Sequence, residues 1–487
     1  MRGQDRASLG RVRRSDILPP DRAVRRLPRH GRDGAPRMTG SSVPPPVEPL
    51  RAPGGWPLLG HTVAFLRRPL ETLTRLGSAG PLVYIRFGPI QFLMVNDPAL
   101  VHHVALDADH FERGHIFTGL QQLFGGGLVT VDGEIHQRHR RMLLPAFQRG
   151  RIRNHADVIR HKAEETTESW QPGRQIAVDA QMADLAAAST LGCLFGSADA
   201  TTLRAQTRIR RALPVVVRAM LRNAVLPTAL TRMPTRDRRR YAAAVDELHD
   251  VVRHLIWARR TQPAVNDDIL SLLLTARDEN GDGLSDQQIH DEVLTLLLAG
   301  SDTTGMALAW AFHELSRNPK AEQELRVELD TVLGTRPVSV EDLPHLKHAR
   351  AVITEVLRLY PVPLITRRVR IPTVLGTAAL KAGSEVAYSP WALHHNPRLF
   401  PEPERFDPSR WRRSQPKPSP GSFIPFGEGP HRCIGESFAI TMTTVALATI
   451  AARWRLRPCP GHVRPVAGLT IHPNQLPMIT VPRQPGG

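Results

Sequence analysis

Cysteine is scarce in this chain of 487 residues: Cys193, Cys433 and Cys459 are the whole supply. They are odd in number, widely spaced and form no C-x-x-C pair. A disulfide framework and a zinc site are therefore not expected, and a reducing compartment, the cytoplasm, is. Also missing is any window of about 18 or more consecutive apolar residues, so no membrane-spanning helix is expected. The nearest candidate, Ser437 to Trp454, is interrupted by four threonines and Arg453 and reads as a buried helix. No internal repeat is visible.

The formal charge of +18 would suggest nucleic acid if it were spread over a folded face. It is not, because residues 1–37 hold eleven Arg against four Asp. That stretch is poor in aromatic and β-branched residues, has the composition of an unstructured segment and lacks the apolar core of a secretory signal. Met38 opens a new composition, Met-Thr-Gly-Ser-Ser-Val-Pro-Pro-Pro, and is a candidate start. The expected organisation is a basic, Pro-rich segment over 1–45 and a single domain over 46–487.

Within that domain the hydrophobic period is mostly 3.6. Helices are expected over about 98–106, 134–148, 154–170, 179–195, 201–222, 236–261, 267–276, 285–317, 319–333, 346–360 and 435–453. A hairpin is expected from 82–87 and 90–95 around Gly88-Pro89, with strands near 368–375, 385–389 and 479–481. The fold class is thus mainly α with a small β-sheet. The longest helix starts at a capping box, Ser285-Asp286-Gln287-Gln288, and stops at Asn318-Pro319. At 1.5 Å per residue it is about 50 Å long and must cross the core. The acidic turn Asp278 to Gly283 before it resembles half a calcium loop, but Ile289 stands where a bidentate Glu is needed, so it is a polar turn.

Four constellations carry chemistry. The first is Phe426-Gly427-Glu428-Gly429-Pro430-His431-Arg432-Cys433-Ile434-Gly435. A lone cytosolic Cys is usually an inert small hydrophobe. Here glycines and a proline hold an open loop, a helix begins just after it, and His431 and Arg432 add charge, all of which favour a thiolate. The second is Ala299-Gly300-Ser301-Asp302-Thr303-Thr304, in mid-helix. Helix packing explains the small residues, but Asp302 is a charge in an apolar helix with no evident partner. The third, Glu355 and Arg358, is by default a surface i,i+3 ion pair. The fourth, His136 and Arg140 one turn apart, is by default a solvated basic face.

In order and spacing, over about residues 50–485, these motifs resemble the cytochrome P450 family. The resemblance implies the family's fold, with haem b between the long helix and the Cys loop. It makes Cys433 the axial thiolate and metal ligand, with Phe426 and Gly435 packed around it. His431, His136, Arg140 and Arg367, the last preferred over Arg368 in the turn after Pro363, would hold the haem propionates. Ala299 would face the haem, Gly300 would loosen the helix, Thr303 would hydrogen-bond dioxygen and Asp302 would feed protons from solvent. Thiolate ligation favours O–O cleavage, and the proton-delivering Asp302-Thr303 pair implies a monooxygenase and not an oxygen carrier. Glu355 and Arg358 would be buried behind the haem with a third residue, Arg410 in preference to Arg405.

The chain ends some fifty residues after Cys433, so a separate ferredoxin and ferredoxin reductase are the expected electron donors. Arg138, Arg141 and Arg432 are candidates for the docking face. The substrate pocket is expected from the loop 107–130, including Phe117, Leu123 and Phe124, from 213–233, Leu296, Ala299 and 362–365. Those linings imply an apolar small molecule. Residues 56–60 and 132–147 are similar to those of actinobacterial members that oxidise cyclic sesquiterpenes. A monomer is expected, with no nucleic-acid or membrane partner. Two other readings stay open: a peroxide-driven or dehydrating haem-thiolate enzyme, and a non-catalytic haem-binding protein.

Overall fold

The computed structural model describes residues 49–196, 200–225, 235–261, 268–412 and 414–483. The segment 1–45, the candidate start Met38 and the end of the 213–233 pocket segment lie outside them.

The long helix is Asp286–Arg317, and its capping box forms as read: Ser285 Oγ accepts from Gln288 N–H and the Gln288 side chain accepts from Ser285 N–H. Pro319 ends it and opens the next helix, Pro319–Val332. The long helix is buried on nearly every face, which explains why no polar stripe marks it. It is long and apolar enough to cross a membrane by composition, yet it is the core helix of this fold. Helix Val178–Phe195 packs tightly along it. A Cβ on Gly300 would come within 3.0 Å of Thr190, and one on Gly305 within 2.8 Å of the Ala183 backbone. The helix is continuous through Gly300, so that glycine serves close packing rather than loosening. Helix Glu436–Arg453 is buried too, with Thr443 and Thr449 hydroxyls donating to the Ala439 and Val445 carbonyls at 2.7 and 2.8 Å.

The main sheet has the strand order Leu50–Arg51, Leu82–Phe87, Ile90–Val95, Glu385–Tyr388, Ile365–Val369, Phe111–Arg113. The hairpin forms with the expected bounds, pairing Leu82 with Val95 and Phe87 with Ile90, and Gly88 takes the positive φ of its turn. The single strand expected at 368–375 is instead two, Ile365–Val369 and Thr373–Leu375, interrupted at Pro372. Arg367 therefore sits in a strand rather than a turn, paired with Arg113 of the neighbouring strand. Segment 134–148 splits into helix Gly133–Leu143 and a 3₁₀ turn, Leu144–Phe147, where Pro145 cannot continue the ladder. A further correction concerns 107–130, which is not one loop: His115–Phe124 is a helix, with Leu123 and Phe124 buried in the core. A short hairpin, Pro465–Ala467 with Ile471–Pro473, lies against the long helix, where Trp310 Nε1–H donates to the Ile471 carbonyl at 2.8 Å.

Candidate active site

The Cys433 loop is fixed from three sides. Cys433 N–H donates to the Phe426 carbonyl at 2.9 Å. Gly429 has φ +69°, and a Cβ there would sit 2.1 Å from the Ala105 carbonyl oxygen, so the loop lies directly on helix Pro98–Leu106. Glu428 bridges to the same helix, 2.7 Å from His102 Nδ1, and also accepts from Gly421 N–H at 3.1 Å. Phe426 and Gly435 are half-buried, and a Gly435 Cβ position lies 3.9 Å from Sγ. Cys433 is accessible although protein surrounds it, which places it on an internal space and not on the outer surface.

The expectation of a thiolate stabilised by the protein alone is not met. Burial pushes the Cys433 thiol up and Glu436 adds to this, outweighing the Gly435 N–H bond, Arg140 and Arg432. His431 adds no charge, since burial and the nearby arginines hold its imidazole at about 4. Arg432 itself is committed to Glu436 at 2.7 Å. A bound metal cation would favour the thiolate at this sulfur.

Beside the loop, cations converge. Arg140 donates to the Arg432 carbonyl at 2.6 Å, and the His136 and His431 rings lie 4.4 Å apart. His431 Nε2 is 3.2 Å from Asp132, which also accepts from Arg113 N–H at 3.0 Å. The Arg113 and Arg367 guanidinium carbons lie 4.9 and 5.9 Å from the Phe117 ring centre. Strand alternation sends Arg367 inward and buried, and Arg368 to Glu385 at 2.8 Å, which separates the two candidates. Arg113 was not visible from sequence, because only the strand pairing brings it to Arg367.

Three arginines, beside two histidines that burial keeps neutral, here face one carboxylate, Asp132. The cost of that excess shows in the titrations. Burial and the Arg367 charge bring Arg113 down to about 9, and burial, His431 and the arginines bring His136 down to about 3. His431 Nδ1 is buried with no hydrogen-bond partner among the described residues. Buried, uncompensated cations with an orphaned ring nitrogen beside an accessible sulfur fit a group that carries carboxylates and a metal, as haem does.

The second part of the site is on the long helix. Along this buried helix Leu296 and Gly300 are half-exposed and Ala299 and Thr303 exposed, a stripe at helical spacing that opens on an internal space. Thr303 Oγ donates to the Ala299 carbonyl at 2.7 Å, leaving its lone pairs free. Asp302 is not partnerless as expected: Thr470 Oγ donates to it and His472 Nε2 stands 3.2 Å away. No hydrogen bond, ion pair or ring contact among the described residues joins Asp302 or Thr303 to the basic cluster.

Glu355 and Arg358 are completely buried, not a surface pair. Arg358 holds both Glu355 oxygens and the carbonyls of His394, Pro403 and Arg405. Arg410 Nε reaches Glu355 at 3.3 Å and Trp411 Nε1–H at 2.8 Å, whereas the Arg405 guanidinium turns out to Glu402. The acidic turn is also settled: Asp278 accepts from Arg138, Asn280 N–H and Asp282 N–H, as a structural turn does.

The cytochrome P450 family profile matches residues 50–479. Cyclooctat-9-en-7-ol 5-monooxygenase of Streptomyces melanosporofaciens is 40% identical over 461 residues, 93% of this chain and all of the relative. Pentalenene oxygenase of Streptomyces avermitilis is 36% identical over 440 residues, 89% of this chain and 98% of its own. The crystal structure of the cytochrome P450DA heme domain superposes with a TM-score of 0.81 at 25% identity, covering 91% of this chain and 99% of that one. With the buried Glu355–Arg358 cluster, the Cys433 loop and the open stripe in one fold, the chain belongs to the cytochrome P450 family of haem-thiolate monooxygenases.

Proposed function

We propose that this chain hydroxylates, or oxidises further, a cyclic terpene, using dioxygen, haem b on Cys433 and electrons from a separate ferredoxin. The observation that carries the reading is the open stripe on the otherwise buried helix, with Thr303 facing the internal space and Asp302 behind it. Haem b held by Cys433 supplies oxygen activation. The residues do the rest. Arg140, Arg367 and His136, joined by Arg113 and His431, bind the two propionates and neutralise the excess charge of the cluster. Ala299 offers a flat, small surface beside the ring. Thr303 presents a hydroxyl whose proton is already given to the helix, so its lone pairs accept a hydrogen bond, and Asp302 passes protons toward it.

Terpene substrates are supported by the names of the two Streptomyces relatives and by apolar residues that stay partly accessible, Phe117, Leu296, Ala299 and Leu364. An apolar lining selects by shape. Of the three docking candidates, Arg138 is tied at 2.6 Å to Asp278 and Arg432 to Glu436. Arg141, paired with exposed Glu279, and Arg432 are both more than half exposed, which leaves these two for a ferredoxin contact.

The test is turnover of a terpene panel by haem-loaded protein with ferredoxin, ferredoxin reductase, NADPH and isotopically labelled dioxygen. One labelled oxygen in the product is expected, and Thr303→Ala should divert electrons to peroxide. Product formed only with added peroxide, or without label, would overturn the proposal.

A further inference from the structure

Asp302 lies in mid-helix, and each proton it passes on must be replaced from solvent. The structure closes a triangle around it. Thr470 Oγ donates to Asp302 Oδ2, His472 Nε2 is 3.2 Å from Oδ1 and 3.3 Å from Oδ2, and Thr470 Oγ lies 2.9 Å from His472 Nε2. Exposure rises outward along it, from 12% for the Asp302 side chain to 31% for His472. Among the described residues no arginine or lysine pairs with Asp302, and His472 is the one titratable group in contact with it. The adjoining hydroxyls of Ser301, Thr303 and Thr304 are spent on carbonyls of their own helix.

The hairpin that carries Thr470 and His472 is firmly placed. Ile471 is buried and its carbonyl receives Trp310 Nε1–H at 2.8 Å, Gly468 N–H donates to the Thr470 carbonyl at 2.8 Å, and Asn474 accepts from Arg464 N–H at 2.9 Å. His472 Nδ1 has no protein partner among the described residues, and the ring keeps an open edge. An imidazole with one nitrogen on a carboxylate and the other toward water can take a proton at one side and release one at the other.

We infer that His472 is the solvent-side relay that reprotonates Asp302, with Thr470 orienting both, so that the 465–473 hairpin is part of the proton supply. The inference rests on the reading of Asp302 and Thr303 given above. Solvent protonates Nδ1 of the Nε2–H ring, the Nε2 proton passes to the carboxylate that has just given one up, and the neutral Nδ1–H ring returns to the Nε2–H tautomer by proton exchange with water. No electrons move. His472 is a positioning and relay residue, since it acts through Asp302.

The experiment compares His472→Gln, His472→Ala with and without added imidazole, and Asp302→Asn, in the haem-loaded enzyme with its redox partners. In the haem-free protein, amide exchange of 465–473 and the unfolding midpoint are measured for the same variants. His472→Gln should leave exchange and midpoint unchanged while slowing turnover about tenfold or more, raising the solvent deuterium isotope effect and the peroxide share. Imidazole should restore part of the activity of His472→Ala. Wild-type turnover and isotope effect in His472→Gln would overturn the relay, as would loss of hairpin protection in both variants with no imidazole rescue, which marks a clamp. Asp302→Asn separates the two readings. If it too leaves turnover and coupling intact, the acid–alcohol reading fails; if it alone is impaired, the relay fails.

Discussion

Replacing Glu355 by Gln keeps the shape of the side chain and removes its charge, so it isolates what the buried cluster contributes. Glu355 and Arg358 have no exposure, and the Glu355 oxygens accept from Arg358, Arg410, Trp411 and Asp407 N–H. An amide in that place turns an NH₂ toward donors and leaves the Arg358 guanidinium with three carbonyls and no counter-charge. Removing one partner of a buried pair costs about 3–5 kcal/mol. Arg410→Ala loses the bond to the charged Glu355 at 3.3 Å and one to the Glu402 carbonyl at 3.0 Å, and should cost about 1.5–3 kcal/mol. Arg405→Ala loses only an exposed pair with Glu402, about 0–1 kcal/mol. Urea unfolding followed by tryptophan fluorescence reads all three, with Trp411 inside the cluster as reporter. Equal losses for Arg405→Ala and Arg410→Ala, or a loss under about 1 kcal/mol for Glu355→Gln, would refute the reasoning.

Gly429→Ala forces a methyl into the Ala105 carbonyl at a positive φ. Haem retention on gel filtration should drop sharply, whereas Gly334→Ala, at a similar φ in open space, should retain haem. Burial holds His313 and His395 at about 4 and His394 at about 3, below the ordinary 6.5. Unfolding lets each take up a proton between those values and 6.5. Stability is therefore complete above about pH 6.5 and falls as the pH drops toward 4, by up to about 1.4 kcal/mol per pH unit for each group. Unfolding free energies from pH 7 to 4 check this, and a flat profile contradicts it. His394 should matter most locally, since its Nε2 accepts from Ile424 N–H at 3.0 Å, a bond that protonation breaks. Arg141→Glu should slow reduction by ferredoxin and flatten its salt dependence, while Arg138→Ala should lower stability instead; stopped-flow reduction and unfolding midpoints separate the two.

What the sequence made legible was local. The 82–87 and 90–95 strands and both ends of the long helix were readable because their signals, Gly88-Pro89, the Ser285 capping box and Asn318-Pro319, lie within a few residues of what they shape. Helix His115–Phe124 was missed because glycines at 114 and 125–127 make the stretch read as loop, although Ile116, Leu120, Leu123 and Phe124 keep a helical spacing. At the site, Cys433 and the Asp302-Thr303 pair stood in compact motifs. Arg113, Thr470 and His472 did not, since strand pairing with Arg367 and hairpin docking over 168 and 170 residues bring them in. The choice between Arg367 and Arg368 likewise depends on which face of a strand each occupies. At Cys433 the sequence showed the nearby charges but not the burial that pushes the thiol up.

The claim on which the rest depends is that Cys433 is the haem ligand. The ferrous–carbonyl spectrum of the haem-loaded protein tests it most directly. The account predicts a Soret band at the long-wavelength position that thiolate ligation produces, unchanged in Cys193→Ser and Cys459→Ser and lost in Cys433→His. A band at the shorter-wavelength position of an imidazole ligand in the native chain, or a thiolate band that survives Cys433→His, would contradict it.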